Sequence, residues 1–242
     1  MIEVNGVSFS YKGKKVKQIE DIDLKVETGY MTCLIGHNGS GKTTLMKLIY
    51  GCLVPAKGNI LWEKRKLTYK ELYKYRNEVA FVTNDAPWVS GKYSDTIDYY
   101  ETIYPDFKRE EFAGLIKRFG VAEEKLKLAR SNMMGGLSSG EEMILKIAAA
   151  FARHPKYMIL DEPFANLDPV AKIAVTDLLH ERILKNEMGA LVSTHLLDEI
   201  TDVVDYVAVI EKGRLVKYAD REKIIAGEGD LSDVLKGIKK DL

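Results

Sequence analysis

One stretch constrains this chain more than any other. A continuous apolar run over residues 30–35 passes directly into Gly36-His37-Asn38-Gly39-Ser40-Gly41-Lys42-Thr43, and residues 42–52 then carry helical periodicity. An apolar run without alternation is the pattern of a strand buried on both faces, as in a parallel sheet. The loop matches G-x-x-x-x-G-K-[ST]. Its glycines allow positive φ and close approach of the backbone to phosphate oxygens. The helix start that follows offers free N–H groups to an anion. On this pattern Gly36, Asn38, Gly39, Ser40, Gly41, Lys42, Thr43 and Thr44 are candidate nucleotide contacts. Lys42 is assigned to the β- and γ-phosphates, Thr43 to Mg²⁺ and Thr44 to the α-phosphate. A chance match in a flexible turn would lack the flanking strand and helix.

Elsewhere strand and helix patterns alternate, which implies an α/β fold. Val4, Val7, Phe9 and Tyr11 lie in one β-rich run, and residues 19–26 alternate apolar and charged positions. Further strands are expected at 59–62, 78–83, 157–160, 189–193 and 203–211. Residues 94–152 read as mostly helical, with helices at 96–104, 108–119 and 141–154 punctuated by Pro105 and Gly120. Helices are also expected at 169–186 and, in the charged tail, at 231–238. The expected architecture is a single domain with a P-loop NTPase core, formed by residues 1–85 and 156–242. Its sheet is mixed and mainly parallel, with an antiparallel N-terminal β region. A helical subdomain is inserted at 86–155.

Composition narrows the function classes. The 242 residues carry 36 Lys+Arg against 36 Asp+Glu, a formal net charge of +0. That balance argues against coating nucleic acid or anionic lipid. Cys33 and Cys52 are too few for a disulfide framework and lack metal-ligand spacing. No window approaches the roughly 18 apolar residues of a membrane span, and residues 1–10 show no signal pattern. A reducing cytosol is the expected compartment.

A second site element is Tyr157-Met158-Ile159-Leu160-Asp161-Glu162, an apolar strand ending in two acids. Beside a phosphate loop, Asp161 fits a Mg²⁺ partner and Glu162 fits the group that orients or deprotonates an attacking water. Two adjacent acids at a strand end also occur as a solvated turn.

Leu137-Ser138-Ser139-Gly140-Glu141 precedes that strand, Pro163-Phe164-Ala165-Asn166-Leu167-Asp168 follows it, and His195 stands just past the apolar run ending at Ser193. With the phosphate loop and the acidic strand end, this ordered set resembles the ATP-binding subunit of ABC transporters over nearly the whole chain. The resemblance implies ATP and Mg²⁺ as ligands and a head-to-tail pair of identical or homologous ATP-binding subunits. Ser138 and Gly140 would touch the γ-phosphate bound by the opposite subunit, and Asp168 would contact that subunit. His195 would hold γ-phosphate and water in line, and Tyr11 would stack on adenine. Asn84, or Asp85 next to it, stands where the family commonly has a Mg²⁺-touching Gln, and Glu141 stands where it usually has Gln. Local readings coexist with these. Ser138-x-x-Glu141 is a capping box, Asp168 before Pro169 is an N-cap pattern, and Tyr11 beside Phe9 is a strand-face aromatic.

The resemblance further implies an integral permease that holds the chain at the cytoplasmic face of the membrane, and no nucleic acid partner. Residues 94–119, with Tyr104-Pro105-Asp106-Phe107, look like exporter ATPases paired with ABC-2-type permeases, some of which export peptides or drugs. The permease is expected to dock on the helical insert near Trp88 to Tyr100. The rival reading is a non-transport ABC ATPase in cofactor assembly.

Overall fold

The computed structural model describes residues 1–13, 17–85, 93–122, 137–194 and 203–228. Strand β1 (Ile2–Phe9) pairs antiparallel with β2 (Ile19–Val26), setting Ile2 opposite Val26 and Val4 opposite Leu24. On β2 the apolar residues Ile22, Leu24 and Val26 are buried, while Asp21, Asp23 and Lys25 between them are exposed, the period-2 signature of a half-buried strand. A second partner of β1 is β4 (Lys57–Trp62), which turns through Glu63 and Lys64 into the short β5 (Arg65–Lys66). Both turn residues have positive φ, 48° and 63°, as a two-residue hairpin turn requires.

The larger sheet contains β3 (Met31–Ile35), β6 (Val79–Thr83), β7 (Tyr157–Asp161), β8 (Gly189–Thr194), β9 (Tyr206–Glu211) and β10 (Arg214–Asp220), in the order β10-β9-β3-β8-β7-β6. All pairings are parallel except the β9–β10 hairpin. Strands β3, β7 and β8 are buried at every position, which is why their sequences read as unbroken apolar runs.

The two faces of this sheet serve two cores. Leu34, Ile159, Leu191 and Ile210 face a core shared with the four-stranded sheet, in which α1 (Lys42–Ile49) buries Leu45, Met46, Leu48 and Ile49. Cys33, Leu160, Ala190 and Val192 face the other core, with α5 (Ser139–Phe151) and α6 (Pro169–Leu184). Helices α3 (Tyr93–Ile103) and α4 (Arg109–Arg118) join this same core through Ile97, Phe112, Leu115 and Ile116. Among the described residues the helical layer therefore shares this core rather than forming a separate one.

The expected fold class holds, with shifted boundaries. The helix expected over 42–52 stops at Ile49, and Gly51 follows at φ 76°. The strand expected from 203 begins at Tyr206. Besides the two-residue β5 and a 3-10 turn at Tyr69–Glu71, three elements lie outside the expectation: α2 (Leu72–Glu78), β10 and α7 (Arg221–Glu228). Helix α2 buries only Tyr75, and β10 is an edge strand with no buried position, so neither leaves an apolar period to read. The helix expected at 231–238 lies outside the described residues. Among the described residues no helix is long and apolar enough to cross a membrane.

Candidate active site

Register brings the site together. Thr83 lies opposite Asp161, Asp161 opposite Ser193, and Ile35 opposite Thr194. The phosphate loop leaving β3 and the acids ending β7 thus share the carboxyl edge of one parallel sheet, where α/β folds place ligands.

Close packing shapes the loop. A Cβ on Gly36 would lie 2.3 Å from the Ile210 carbonyl oxygen, so β9 excludes any side chain there. Gly41 opens α1 at φ 117°, and no side chain caps the helix. The first-turn N–H groups, which have no partner within a helix, are left without a side-chain acceptor from the N-cap. Among the described residues the Ser40 hydroxyl is buried without a hydrogen-bond partner, and Gly39 faces open space. An unpaired buried hydroxyl and an uncapped helix start suit an anion rich in acceptors.

Lys42 is only 6% exposed. Its ammonium donates to the Gly36 carbonyl at 2.6 Å and to that of His37 at 3.4 Å, and lies 3.3 Å from Glu162 Oε1. A buried charge needs such partners, and they hold the ammonium over the loop. Thr43 Oγ1 donates to Asp161 Oδ2 at 2.7 Å. Ser193 Oγ donates to Asp161 Oδ1 at 2.6 Å and accepts from the Glu162 N–H at 2.9 Å. Glu162 has φ 49°, a left-handed conformation rare for a residue with a Cβ. Such strain persists where surrounding contacts over-determine it; here the bond to Ser193 turns the carboxylate back toward Lys42.

Thr43 and Asp161 supply hard oxygen donors. Among the described residues no group of three or more His, Cys, Asp or Glu side chains is arranged to hold a metal. That donor set fits Mg²⁺, which takes one or two protein oxygens and completes its shell with water and substrate phosphates. Asn84 follows Thr83 at the same edge, exposed. Asp85 pairs with Lys47 at 3.1 Å, and Asn84 beside it carries the only amide of the two.

A cleft of about 170 Å³ is lined by Gln18, His37, Asn38, Gly39, Gly41, Lys42, Thr43, Thr44 and Glu162. Tyr11 reaches its edge, with its hydroxyl 3.2 Å from Thr44 Oγ1 and its ring edge-on to Phe9. Tyr11 stands two residues past the end of β1, against Phe9, with its hydroxyl against the loop. Sequence reasoning missed Gln18, His37 and Ser193. A polar Ser193 ending an otherwise apolar strand was the available signal for the last.

Ser138, Gly140 and Asp168 do not line this cleft. Ser138 caps α5 in a reciprocal capping box: its hydroxyl accepts from the Glu141 N–H, and the Glu141 carboxylate accepts from the Ser138 N–H at 2.8 Å. The departure from Gln at 141 is therefore used locally. Asp168 caps α6, accepting from the Val170 and Ala171 N–H groups at 2.9 Å each. Gly140 is buried, and a Cβ there would lie 2.2 Å from the Asn166 carbonyl oxygen. His195 and Trp88 lie outside the described residues.

Comparison with known proteins agrees with this geometry. The family model described as "ABC transporter" matches residues 19–165. The energy-coupling factor transporter ATP-binding protein EcfA2 of Streptococcus agalactiae is 31% identical over 226 residues, covering 88% of this chain and 79% of that protein. A probable ABC transporter ATP-binding protein of Azorhizobium caulinodans is likewise 31% identical, over 91% and 78%. A solved ATP-binding subunit of an ABC transporter superposes with TM-score 0.80 at 24% identity, over 99% of both chains. A dimeric ATP-binding cassette in a post-hydrolysis state with ADP and Pi superposes at 0.78 and 19% identity, over 91% of this chain and 98% of that one. The chain belongs to the ABC transporter family, as one of its ATP-binding, ATP-hydrolysing subunits.

Proposed function

We propose that this chain binds ATP with Mg²⁺ at the phosphate loop and hydrolyses it with Glu162 as general base, in a pair of such subunits that powers an integral membrane permease from the cytoplasmic face. The observation that carries this reading is the convergence of Lys42 and Thr43 with Asp161 and Glu162 on one sheet edge. Lys42 is positioned to exchange its carbonyl and carboxylate acceptors for phosphate oxygens. Thr43 and Asp161 would hold Mg²⁺, which supplies charge neutralisation when bound, and Asn84 would contribute its amide there. Glu162 would then take the proton of a water, with His195 aligning that water and Tyr11 against the adenine. The protein's share of catalysis is positioning and charge stabilisation.

Pairing is supported by what the cleft lacks. Ser138 and Asp168 stand exposed at helix starts and do not line it, so they could face the cleft of a second copy, with Gly140 buried just behind Ser138. The division proposed is a nucleotide core of residues 1–85 and 156–242 with a helical subdomain at 86–155 that carries Ser138 and docks the permease.

Two permease classes are in play. Residues 94–119 support an ABC-2-type exporter of peptides or drugs. The relatives named as energy-coupling factor ATP-binding proteins support a transporter of that kind instead. Within the chain, the Tyr100 ring packs against those of Tyr104 and Phe107, tilted by 42° and 43°, with centroids 5.5 Å apart in each pair. The exporter-like segment thus has packing work of its own.

Glu162→Gln tests the core of the reading. The variant should bind ATP, hydrolyse it at least about 100-fold more slowly, and accumulate as an ATP-bound dimer on size-exclusion chromatography. Wild-type turnover would remove Glu162 from the role. The same variant, used to capture partners from detergent-solubilised membranes, should retain a permease; its sequence class decides between the two readings.

A further inference from the structure

The turn leaving β6 is held from two sides. From α5, Lys146 Nζ donates to the carbonyl oxygen of Thr83 at 3.4 Å, and its ammonium pairs with Glu142 at 2.9 Å one helical turn back. From α1, Lys47 pairs with Asp85 at 3.1 Å. Lys146 is the more consequential of the two, since its side chain is only 11% exposed against 30% for Lys47. A lysine this buried is directed by its partners rather than by water. The residue between these anchors is Asn84, one step past Thr83, whose strand position lies opposite Asp161.

We infer that Lys146 and Lys47 are positioning residues that fix the 83–85 turn, and with it the Asn84 amide, against the Asp161 edge, one acting from each side of the molecule. Lys146 stands about 12 Å along α5 from Ser138, at 1.5 Å per residue. One rigid helix therefore carries both the capped end proposed to meet a second copy and the ammonium that holds the β6 terminus. A shift of α5 against the sheet moves the Thr83 carbonyl directly, whereas the Lys47–Asp85 pair keeps Asp85 with the phosphate-loop helix. Asn84 then reports the relative placement of α5 and α1. This rests on the reading of Asn84 as the site amide.

The test compares Mg²⁺-dependent ATPase activity of the full chain with nucleotide binding. Lys146→Met should lower kcat about tenfold, the worth of a charge-assisted hydrogen bond. It should raise the Mg²⁺ concentration at half-maximal rate while leaving ATP affinity without Mg²⁺ within about twofold. Lys146→Arg, which keeps the donor, should recover kcat to within about threefold. Asp85→Lys should show a smaller loss, and the swapped pair Lys47→Asp/Asp85→Lys should restore at least half of it. These two arms stand even where Lys146→Met fails to fold. Wild-type kcat in Lys146→Met, equal damage from Met and Arg, or no recovery in the swapped pair would overturn the inference. Asn84→Ala separates the layers. Altered Mg²⁺ dependence there, with Lys146→Met unchanged, keeps Asn84 in the site and removes Lys146. Unaltered Mg²⁺ dependence in Asn84→Ala ends the reading of Asn84 and the inference with it.

Discussion

The helix that follows the phosphate loop and the helices that open at Ser138 and Asp168 begin in opposite ways. Helix α1 starts from Gly41 with no side chain on its first N–H groups. Helix α5 starts in a closed capping box, and α6 starts with both oxygen-seeking N–H groups bound to Asp168. An uncapped start leaves donors for a ligand, whereas a capped start is complete within its own chain. Of these three ends, one offers its first N–H groups to a ligand and two have N–H groups bound by their own caps. The difference separates the half of the site that receives phosphate from the half proposed to be offered to a second copy.

The largest effect is expected at Gly140. The Asn166 carbonyl leaves no room for a Cβ, so Gly140→Ala should cost about 1–3 kcal/mol of stability through overpacking, read as a lowered urea midpoint of the isolated chain. An unchanged midpoint would mean that the start of α5 is not pressed against the segment before Asp168. Next come the caps themselves. Ser138→Ala and Asp168→Ala should each destabilise the nucleotide-free chain by about 1 kcal/mol, with intrinsic nucleotide affinity of the monomer unchanged.

Ser40→Ala sharpens the contrast from the other side. Its hydroxyl is buried and unpaired, so removal should move the stability of the free chain by less than about 0.5 kcal/mol while weakening ATP binding, measured by calorimetry. A loss of stability as large as that of Ser138→Ala would erase the distinction between the ends.

The smallest effect is expected at an ion pair far from both. Hydrogen bonds from Lys156, then from the Met1 ammonium and Tyr157, lower the Glu63 carboxyl to about 2. A group depressed in the folded state stabilises above its unfolded value of 4.5 and loses that stabilisation as pH falls toward 2. Glu63 is 43% exposed, so solvent screening limits its worth to under about 1 kcal/mol. Glu63→Gln should flatten the acid limb of stability between pH 4.5 and 2 and leave turnover unchanged. A steeper acid limb would contradict the assignment.

Legibility followed the distance over which each interaction acts. The phosphate loop, the acid pair and both caps were readable because their partners stand within a few residues. The capping box spans Ser138 to Glu141, and Asp168 bonds the next residues along. The role of Ser193 was not readable, since its bond to Asp161 crosses 32 residues and depends on β7 and β8 being neighbours. The ion pair of Asp85 with Lys47 was not readable either, since it joins α1 to the turn after β6 across 38 residues. Elements without apolar period, such as β10 and α2, were missed because exposed edge strands and short surface helices bury too little to leave a pattern.

Residue order therefore laid out a strand–loop–helix proposed to accept phosphate, an acidic strand end and two self-capped helices, all of them local devices set by neighbouring residues. Folding decided which of these meet. Thr43 reaches Asp161 across 118 residues and Lys146 reaches Thr83 across 63. Gly36 is glycine because β9 passes behind it, and Gly140 because the chain before Asp168 does. Such contacts arise from sheet order and close packing, in which a residue's neighbours are chosen by strand adjacency and excluded volume, quantities that local spacing does not encode.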